Sequence, residues 1–524
     1  MKRLWILILC ITLLCGCTID PGTYEPTGDA LVYDEDEMPE QEQMEEGEDG
    51  EEADTVLTFA YYPEVTLNPY QCTDFTNRAL FSLIYQSLFT VDRDYVAQPQ
   101  LCKRFTVSES MKQYTFYLER ATFTDGSVMT VEDVVASLTA AWESDFYKGR
   151  FLHVTEIVPS GDGGVRISLD TPYENLPLLL DIPIVPEEQV AEDRPLGTGP
   201  YAVYAAFGGD SLRRKTNWWC DVELPILAKT ISLFPAESAT HIRDEFEFSD
   251  LSLVCADPGS DRYADYRCDY ELWDCENGIF LYLGVSEGSE VFQNPALRAA
   301  LTYAIDRDKL VKEYYRGFAR SATLPASPLS PYYSLGLAER YSYNGVKFAQ
   351  AVKDAGVQEQ KVVLLVNSDD SLRLRVAREI AQMLEDCGLV VELNALGSNA
   401  YVEALKAWNF DLYLGQTRLS PNMDLSAFFA TYGNLSWGGV NDVSAYSLCL
   451  QALENHGNYY TLHKTVMDNG LLCPILFRSY AVYAIRGTLT ELQPTRDGVF
   501  YYSMGKDLEA CKSIVADVLP EPKE

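Results

Sequence analysis

Five segments between residues 362 and 414 alternate between strand-like and helix-like patterns, and this alternation constrains the fold more than any other feature. Val362–Val366, Val390–Leu393 and Asp411–Leu414 are short, mainly apolar runs typical of buried strands. Leu372–Asp386 has apolar residues at helical spacing, and a shorter helix is indicated around Tyr401–Ala407. A β-α-β-α-β order predicts parallel strands joined by right-handed crossovers.

The ends of these strands are candidate ligand contacts, because ligands of parallel α/β sheets bind beyond the carboxyl ends of the strands. The first predicted strand leads into Asn367, and the third leads through Gly415 to Arg418. We therefore consider Asn367 and Arg418 candidate binding residues. Topology places them there, and no local motif singles them out.

The rest of the chain also mixes strands with helices. Thr55–Tyr62 is rich in β-forming residues, and a helical pattern follows at residues 80–88. Thr130 and Asp133 form a capping-box pattern that opens a helix through Trp142. The length of 524 residues suggests two to four domains, so the chain is expected to be a large α/β protein.

The first residues resemble a bacterial lipoprotein signal peptide. Lys2 and Arg3 precede the apolar run Leu4–Leu14, which is too short to span a bilayer. The run ends in Leu14-Cys15-Gly16-Cys17, which is similar to a lipobox. That resemblance implies cleavage after residue 16 and diacylation of Cys17, which would anchor the chain to a membrane. Ordinary cleavage without lipid is the alternative.

Residues 17–54 are predicted to be a disordered tether. Between Thr18 and Asp54 there are sixteen acidic residues and no Lys or Arg, and no helical or alternating period. The whole chain has a formal net charge of −37, which disfavours a nucleic-acid partner. No later segment has an apolar run long enough to cross a membrane.

Cysteine and histidine usage gives no sign of a metal site or cofactor. Ten cysteines lie beyond the signal segment, so disulfides are possible, but a domain of this size does not need them. The chain has four histidines, none at metal-ligand spacing to a cysteine, and no CxxC pair. We therefore predict no metal and no cofactor.

Several segments, in order, resemble the solute-binding proteins of bacterial ABC importers, specifically the large extracellular family that includes oligopeptide, dipeptide and nickel binders. The matching segments are Leu67-Asn68-Pro69 with Leu88–Asp92, Tyr114–Phe116 with Phe123–Gly126 and Thr130–Val134, Leu196–Tyr201 with Asn217–Trp219, and Asn294–Leu301 with Ala304–Arg307 and Gly317. Each segment is a weak signal alone, but their common order along the chain is specific.

The resemblance implies a two-lobed periplasmic-binding-protein-like fold of the three-domain type, with a hinge between the lobes. On this sequence the first domain would comprise residues 55–90, 195–277 and 485–524. The second would be 91–194 and the third 278–484. A small solute would be enclosed between the lobes and delivered to permease and ATPase subunits by a monomeric protein at the outer face of the cytoplasmic membrane.

One departure from the family pattern bears on the ligand. In the peptide binders an Asp shortly after the strand that matches Asp411–Leu414 pairs with the peptide α-ammonium group, whereas this chain has Arg418 near that place. Asp424, six residues later, could replace it only if the loop folds differently. The resemblance therefore implies an anionic or uncharged solute, or a peptide held in another way.

Three further residues are candidate pocket residues with ordinary structural alternatives. Trp437 lies in a loop expected to face the cleft, where it could stack on a ligand or pack in the core. Asn68 and Tyr70 follow the first strand, although Asn68-Pro69 is also a common turn sequence.

Two other function classes remain open. A secreted lipid-anchored hydrolase is conceivable, but the chain contains neither GxSxG nor HExxH, so we predict no enzymatic activity. A surface sensor for a peptide signal would have the same fold as an importer component.

Overall fold

The computed structural model describes residues 57–206, 209–222, 224–226, 228–248, 250–260, 263, 265–439, 442–489 and 492–517. The predicted signal peptide, Cys17 and the acidic tether lie outside these residues. Within the described ranges, no helix has both the length and the apolar character needed to cross a bilayer.

The strands are numbered in chain order. They are β1 (Leu57–Tyr61), β2 (Phe89–Val91), β3 (Ala97–Pro99), β4 (Cys102–Ser108), β5 (Gln113–Leu118), β6 (Val154–Pro159), β7 (Val165–Leu169), β8 (Tyr201–Tyr204), β9 (Ser211–Arg214), β10 (Thr230–Pro235), β11 (Leu253–Ala256), β12 (Tyr270–Val285), β13 (Ala319–Ser321), β14 (Lys361–Asn367), β15 (Val390–Leu396), β16 (Leu412–Arg418), β17 (Cys473–Ile485), β18 (Gln493–Thr495), β19 (Gly498–Phe500) and β20 (Lys512–Val515).

The helices are numbered in the same way. They are α1 (Phe75–Arg78), α2 (Phe81–Ile84), α3 (Val131–Glu143), α4 (Ala239–Glu247), α5 (Pro295–Ala300), α6 (Arg307–Tyr314), α7 (Leu335–Ala338), α8 (Gly345–Asp354), α9 (Ser371–Asp386), α10 (Ser398–Lys406), α11 (Ser426–Phe429), α12 (Val443–Glu454), α13 (Tyr459–Asp468) and α14 (Leu508–Cys511). Short 3-10 helices occupy Lys148–Phe151, Leu176–Leu179, Glu187–Gln189, Leu301–Ala304, Glu339–Tyr341, Trp437–Gly439 and His456–Asn458.

A large mixed sheet runs through the molecule in the order β15-β14-β16-β12-β17-β11-β1-β10-β9-β8, with β13 also paired to β17. We call β1 and β8–β11 the first half-sheet, and β13–β16 the second half-sheet. The long antiparallel strands β12 and β17 belong to both halves. They are the structural link between the two lobes.

The pairing of β12 with β17 changes register in the middle of the ladder. Tyr270–Glu276 pairs with Ile485–Ser479, and pairing resumes only at Phe280, opposite Phe477. Gly278, inside this irregularity, has φ of +72°, a left-handed conformation that favours glycine. The irregularity lies where the ladder passes from the first half-sheet to the second.

The predicted β-α-β-α-β unit is confirmed. Strand β14 pairs in parallel with both β15 and β16, and α9 and α10 are the connecting helices. The apolar side chains of α9, including Val376 and Ile380, are buried against this sheet. Arg418 is the last residue of β16, as the topology predicted.

A smaller sheet, in the order β20-β4-β5-β7-β6, packs through Phe105, Phe116 and Val165 into the hydrophobic core of the first half-sheet. Helix α3, which contacts β6 and β7 of this sheet, begins with the predicted capping box, in which Thr130 and Asp133 form reciprocal hydrogen bonds. The ten cysteines from Cys72 to Cys511 are all unpaired. Hydrophobic packing, rather than disulfide bonding, holds this part of the chain together.

Two predicted helices are shorter than expected. The pattern at residues 80–88 gives only α2, which ends at Ile84 because the backbone of Tyr85 is extended. The helix opened by Asn294 and Pro295 is α-helical only to Ala300 and then tightens into a 3-10 turn.

Candidate functional site

A cavity of about 370 Å³ lies in the region where the half-sheets meet, and we call it the larger cavity by comparison with a cavity of about 200 Å³ beside β16. Its lining residues come from the loop before α1, from α4, from the end of β11 and from the middle of β12 and β17, and include Tyr62, Asp74, Phe75, Arg243, Asp257, Tyr263, Asn277, Arg478 and Tyr480. Arg478 pairs with Asp257 at 2.7 Å. Cationic and anionic side chains therefore line the same cavity, which is large enough for a small molecule.

Asp74 has a double role in this cavity. Its carboxylate accepts the backbone N–H of Asn77 and so caps α1. Burial raises the pKa of Asp74, and the hydrogen bonds from Asn77 and Thr76 only partly oppose that effect. The carboxylate is therefore poorly solvated and suited to a cationic partner.

A smaller cavity of about 200 Å³ lies beside β16. It is formed by the 3-10 turn Lys148–Phe151, the end of β16 with the loop after it, and the β18–β19 turn. Its lining residues include Phe146, Arg150, Arg418, Asp424, Leu435 and Arg496. The Cζ of Arg418 lies 4.1 Å from the ring centroid of Phe146 and 6.0 Å from that of Phe75.

Asp497 is the centre of a buried ionic cluster beside the smaller cavity. Its carboxylate pairs with Arg418 and, at 2.5 Å, with Nη2 of Arg150. The Nε of Arg496 lies 3.5 Å from the same carboxylate, and the Nε of Arg78 donates to the Asp497 carbonyl oxygen at 3.2 Å. Four arginines thus converge on one aspartate.

The cluster perturbs the ionisation of its members. Burial alone would raise the pKa of Asp497, but attraction by the surrounding arginines lowers it far below its usual range. Burial lowers the pKa of Arg418 to about 10, an effect that Asp497 opposes and the neighbouring arginines reinforce. Asp497 is therefore a permanent carboxylate in a strongly cationic environment.

Arg150 and Arg78 have further partners that fix their positions. Arg150 pairs with Asp181 and donates to the Leu179 carbonyl at 3.2 Å. Arg78 donates to the Tyr147 hydroxyl at 2.7 Å and to the carbonyls of Pro69 and Cys72. These two arginines hold the loops around the cavity in place.

Comparison with known proteins identifies the fold. A family model described as bacterial extracellular solute-binding proteins, family 5 Middle, matches residues 96–439, which is more than half of the chain. The chain belongs to family 5 of the bacterial extracellular solute-binding proteins. This membership confirms the predicted family and makes the protein the solute-binding component of an ABC importer. Family 5 is a family of binding proteins.

Individual relatives agree with this family 5 assignment. The glutathione-binding protein GsiB of Salmonella choleraesuis is 25% identical over 394 residues, which cover 71% of this chain and 74% of GsiB. The structure of a putative peptide binding protein, AppA from Clostridium difficile, matches with a TM-score of 0.68 at 16% identity, covering 84% of this chain and 97% of that one. The substrate-binding protein CtaP of Listeria monocytogenes gives 0.66 at 17%, covering 82% and 94%. The two-lobed α/β fold is confirmed.

Of the residues that the sequence proposed for ligand binding in this family 5 protein, Arg418 and Asp424 line the same cavity. Asp424 is already engaged, because its carboxylate lies 3.2 Å from Nε2 of His153 and accepts the N–H of Ser426. Burial raises the pKa of Asp424, but the contacts with His153 and Ser426 bring it below its usual value. Arg418 is also paired, with Asp497, but 19% of its side chain is exposed against 7% of that of Asp424, so Arg418 is the more accessible of the two.

The other four candidates lie elsewhere in the described structure. The amide of Asn68 donates to the carbonyls of Val190 and Glu192, and the Tyr70 hydroxyl donates to Pro183. Asn367 donates to Ser398 at 3.1 Å. Trp437 is half-buried against a core cluster and begins a short 3-10 turn. Their ligand contacts stay predictions, and the contacts described here are structural.

Sequence reasoning did not find Arg78, Arg150, Arg496 and Asp497. They belong to segments with no common motif, and the only local signal is the turn sequence Thr495–Gly498 between two short strands. Within the described residues, no group of three or more His, Cys, Asp or Glu side chains is placed to hold a metal ion.

Proposed function

We propose that this family 5 protein is anchored through a lipid on Cys17 at the outer face of the cytoplasmic membrane and captures a short peptide or a similar small solute for import. The acidic segment before residue 55 would let the binding domain turn freely above the membrane. The solute would then be passed to permease subunits when the lobes are closed.

The observation that carries the proposal is the charge arrangement in the larger cavity. Asp74 and Asp257 place carboxylates there, and Arg243 and Arg478 place guanidinium groups. A short peptide is zwitterionic, so its ammonium and carboxylate ends can both find partners in this space. The volume of about 370 Å³ is within the range of small-molecule sites.

The relatives support a peptide-like solute. GsiB is named as a glutathione-binding protein, and glutathione is itself a tripeptide. AppA from Clostridium difficile is described as a putative peptide binding protein. The position of Arg418 implies that the ammonium group is held differently here than in peptide binders with an Asp at that position, and Asp74 or Asp257 can supply that contact.

Native mass spectrometry of the purified full-length protein is the first test, with a series of peptide masses expected among the co-purified molecules. Isothermal titration with peptides of two to five residues should then give binding that weakens about tenfold in Arg478→Gln. The matched control is Arg486→Gln, an exposed arginine paired with Asp269, which should leave the affinity unchanged.

A single non-peptide solute in the mass spectra would contradict the peptide assignment. Import is tested separately by measuring the uptake of a labelled binding peptide in cells with and without the chain. Retained binding with unchanged uptake would replace the importer by a surface sensor. Hydrolysis of the bound peptide during titration would favour the hydrolase alternative.

A further inference from the structure

The buried arginines of this protein differ in how completely they are satisfied. Arg307 is buried, and its guanidinium donates to the carbonyls of Ala322, Pro474, Thr302 and Ile305 and to the Thr302 hydroxyl. Arg496 is equally buried, with 5% of its side chain exposed. Its Nη2 donates to the Leu419 carbonyl at 2.5 Å, and its Nε has only the ion-pair contact with the Asp497 carboxylate at 3.5 Å, which is not a hydrogen bond. Its Nη1 has no hydrogen-bond partner among the described residues.

An unsatisfied buried guanidinium is costly. A buried donor that loses water without gaining a partner costs about 1–3 kcal/mol, and more when the group is charged. Native proteins leave few such groups, and each one calls for an explanation such as a missing ligand or ion. Arg496 lines the smaller cavity, so a molecule bound in that cavity can supply the missing acceptor.

The cluster around the smaller cavity also carries excess positive charge. Arg78, Arg150, Arg418 and Arg496 face the carboxylates of Asp497 and Asp181. Glu276 is a further acidic neighbour of Arg496, and burial raises its pKa although the hydroxyls of Ser327 and Tyr95 donate to it. Even with Glu276 ionised, the arginines outnumber the carboxylates.

The remaining acidic groups of the cavity lining do not offset this charge. Asp424 is paired with His153, and Asp145 is paired with Lys148, which lines the same cavity. The rest of the wall combines apolar side chains, such as Phe146 and Leu435, with uncharged polar ones, such as Ser420 and Asn434. Coulomb attraction between an anion and this cluster is weakly screened, because the cluster is removed from water.

We propose that the smaller cavity binds a carboxylate of the solute, with Arg496 and Arg418 as its partners. Arg418 has 19% of its side chain exposed and reaches the cavity from the end of β16. A carboxylate has two oxygens and can accept from two guanidinium groups at once. The inference rests on the proposed function, and it narrows the solute to one with an anionic group, such as an acidic peptide.

The test uses tripeptides that carry Glu at one position, each compared with its Gln counterpart and with its carboxyl-terminal amide. Titration against the full-length wild-type protein should show at least one carboxylate whose replacement by an amide weakens binding about tenfold or more. In Arg496→Gln the same replacement should have no effect. Arg486→Gln should keep the preference.

Two results would overturn the inference. One is a wild-type protein that binds every acid and its amide equally, and the other is an acid preference that persists in Arg496→Gln. If Arg496→Gln does not fold, Arg418→Gln replaces it, because 19% of the Arg418 side chain is exposed and Asp497 keeps its ion pair with Arg150.

A failure of the peptide assignment is distinguishable from a failure of the carboxylate site. If no peptide binds, the thermal unfolding of wild type and Arg496→Gln is measured with glutarate and with glutaramide at equal ionic strength. A rise in Tm with glutarate in the wild type alone supports a carboxylate site for a non-peptide solute. The absence of any such rise overturns the site itself.

Discussion

The guanidinium of Arg496 lies directly against Gly278, in the space that a Cβ at residue 278 would need. Gly278 is the residue at which the β12–β17 ladder changes register, and Arg496 belongs to the turn between β18 and β19. The buried ionic cluster and the irregular point of the two shared strands are therefore in direct contact. A substitution in the ionic cluster should therefore alter the packing at Gly278, and a substitution at Gly278 should alter the ionic cluster.

Replacing Gly278 by alanine should destabilise the protein by about 3 kcal/mol, since the new methyl group overlaps Arg496 and the residue has a positive φ. Gly388→Ala is the matched control, because Gly388 also has a positive φ but has open space around it. It should cost only about 1 kcal/mol. Urea unfolding measures both, and equal losses would contradict the predicted contact.

His153 should stabilise the protein at acidic pH. It lies between Asp424 and Asp170; burial alone would lower its pKa, but these carboxylates raise it above the usual 6.5. The stabilisation is therefore complete below pH 6.5 and is lost as the pH rises through the raised value. At pH 5.5 the free energy of unfolding of the wild type should exceed that of His153→Gln by about 2 kcal/mol.

The difference between wild type and His153→Gln should shrink as urea unfolding is repeated at increasing pH. His241→Gln is the control, because His241 has a half-exposed partner in Glu245. That variant should change the free energy of unfolding by less than about 0.5 kcal/mol. A difference at residue 153 that grows with pH would show that the imidazolium pairing is wrong.

His463 should have the opposite pH dependence. It is fully buried, neither ring nitrogen has a hydrogen-bond partner among the described residues, and burial lowers its pKa to about 3. The unfolded chain takes up a proton at this residue below about pH 6.5, so His463 weakens the fold progressively as the pH falls from 6.5 towards 3. His463→Phe should be at least as stable as wild type at pH 7.

The advantage of His463→Phe should grow between pH 7 and pH 4.5, when urea unfolding is followed at several pH values. A constant difference across that range would mean that the histidine is solvated or paired. The opposite trends at residues 153 and 463 also control for general effects of acid on the protein.

Cys17→Ala should release the chain from membranes. If Cys17 carries lipid, the wild-type protein partitions into the detergent phase of a Triton X-114 extraction and the variant moves to the aqueous phase. Cys15→Ala is the matched control and should still partition with detergent. Equal partitioning of wild type and Cys17→Ala would mean that the signal peptide is removed without lipid attachment.

The parts of the fold that could be predicted depend on short-range patterns. The strand at Val362–Val366 and the helix after it are visible as an apolar run and a helical period, and their parallel pairing follows from the connection. The Thr130–Asp133 capping box is likewise contained in four residues. Arg418 could be placed because it ends such a strand.

The rest of the site could not be predicted, because its contacts join distant parts of the chain. Asp497 forms hydrogen bonds with Arg418, Arg150 and Arg78, which are separated from it in the sequence by 79, 347 and 419 residues. No local periodicity or residue spacing predicts contacts between residues so far apart in the sequence. The excess of positive charge at the smaller cavity depends on the contact between the turn at residues 495–498 and the end of β16, which only the three-dimensional structure shows.

The same long-range contacts constrain when this chain can finish folding. The smaller sheet pairs β4 with β20, and the buried Arg78 at the end of α1 donates to the carbonyl of Asp497. The native contacts of residues near position 78 therefore cannot form until residues near position 497 have been synthesised, several hundred residues later. A chain built in this way stays incomplete while it is being made, which suits a protein that a secretion channel must thread before it folds.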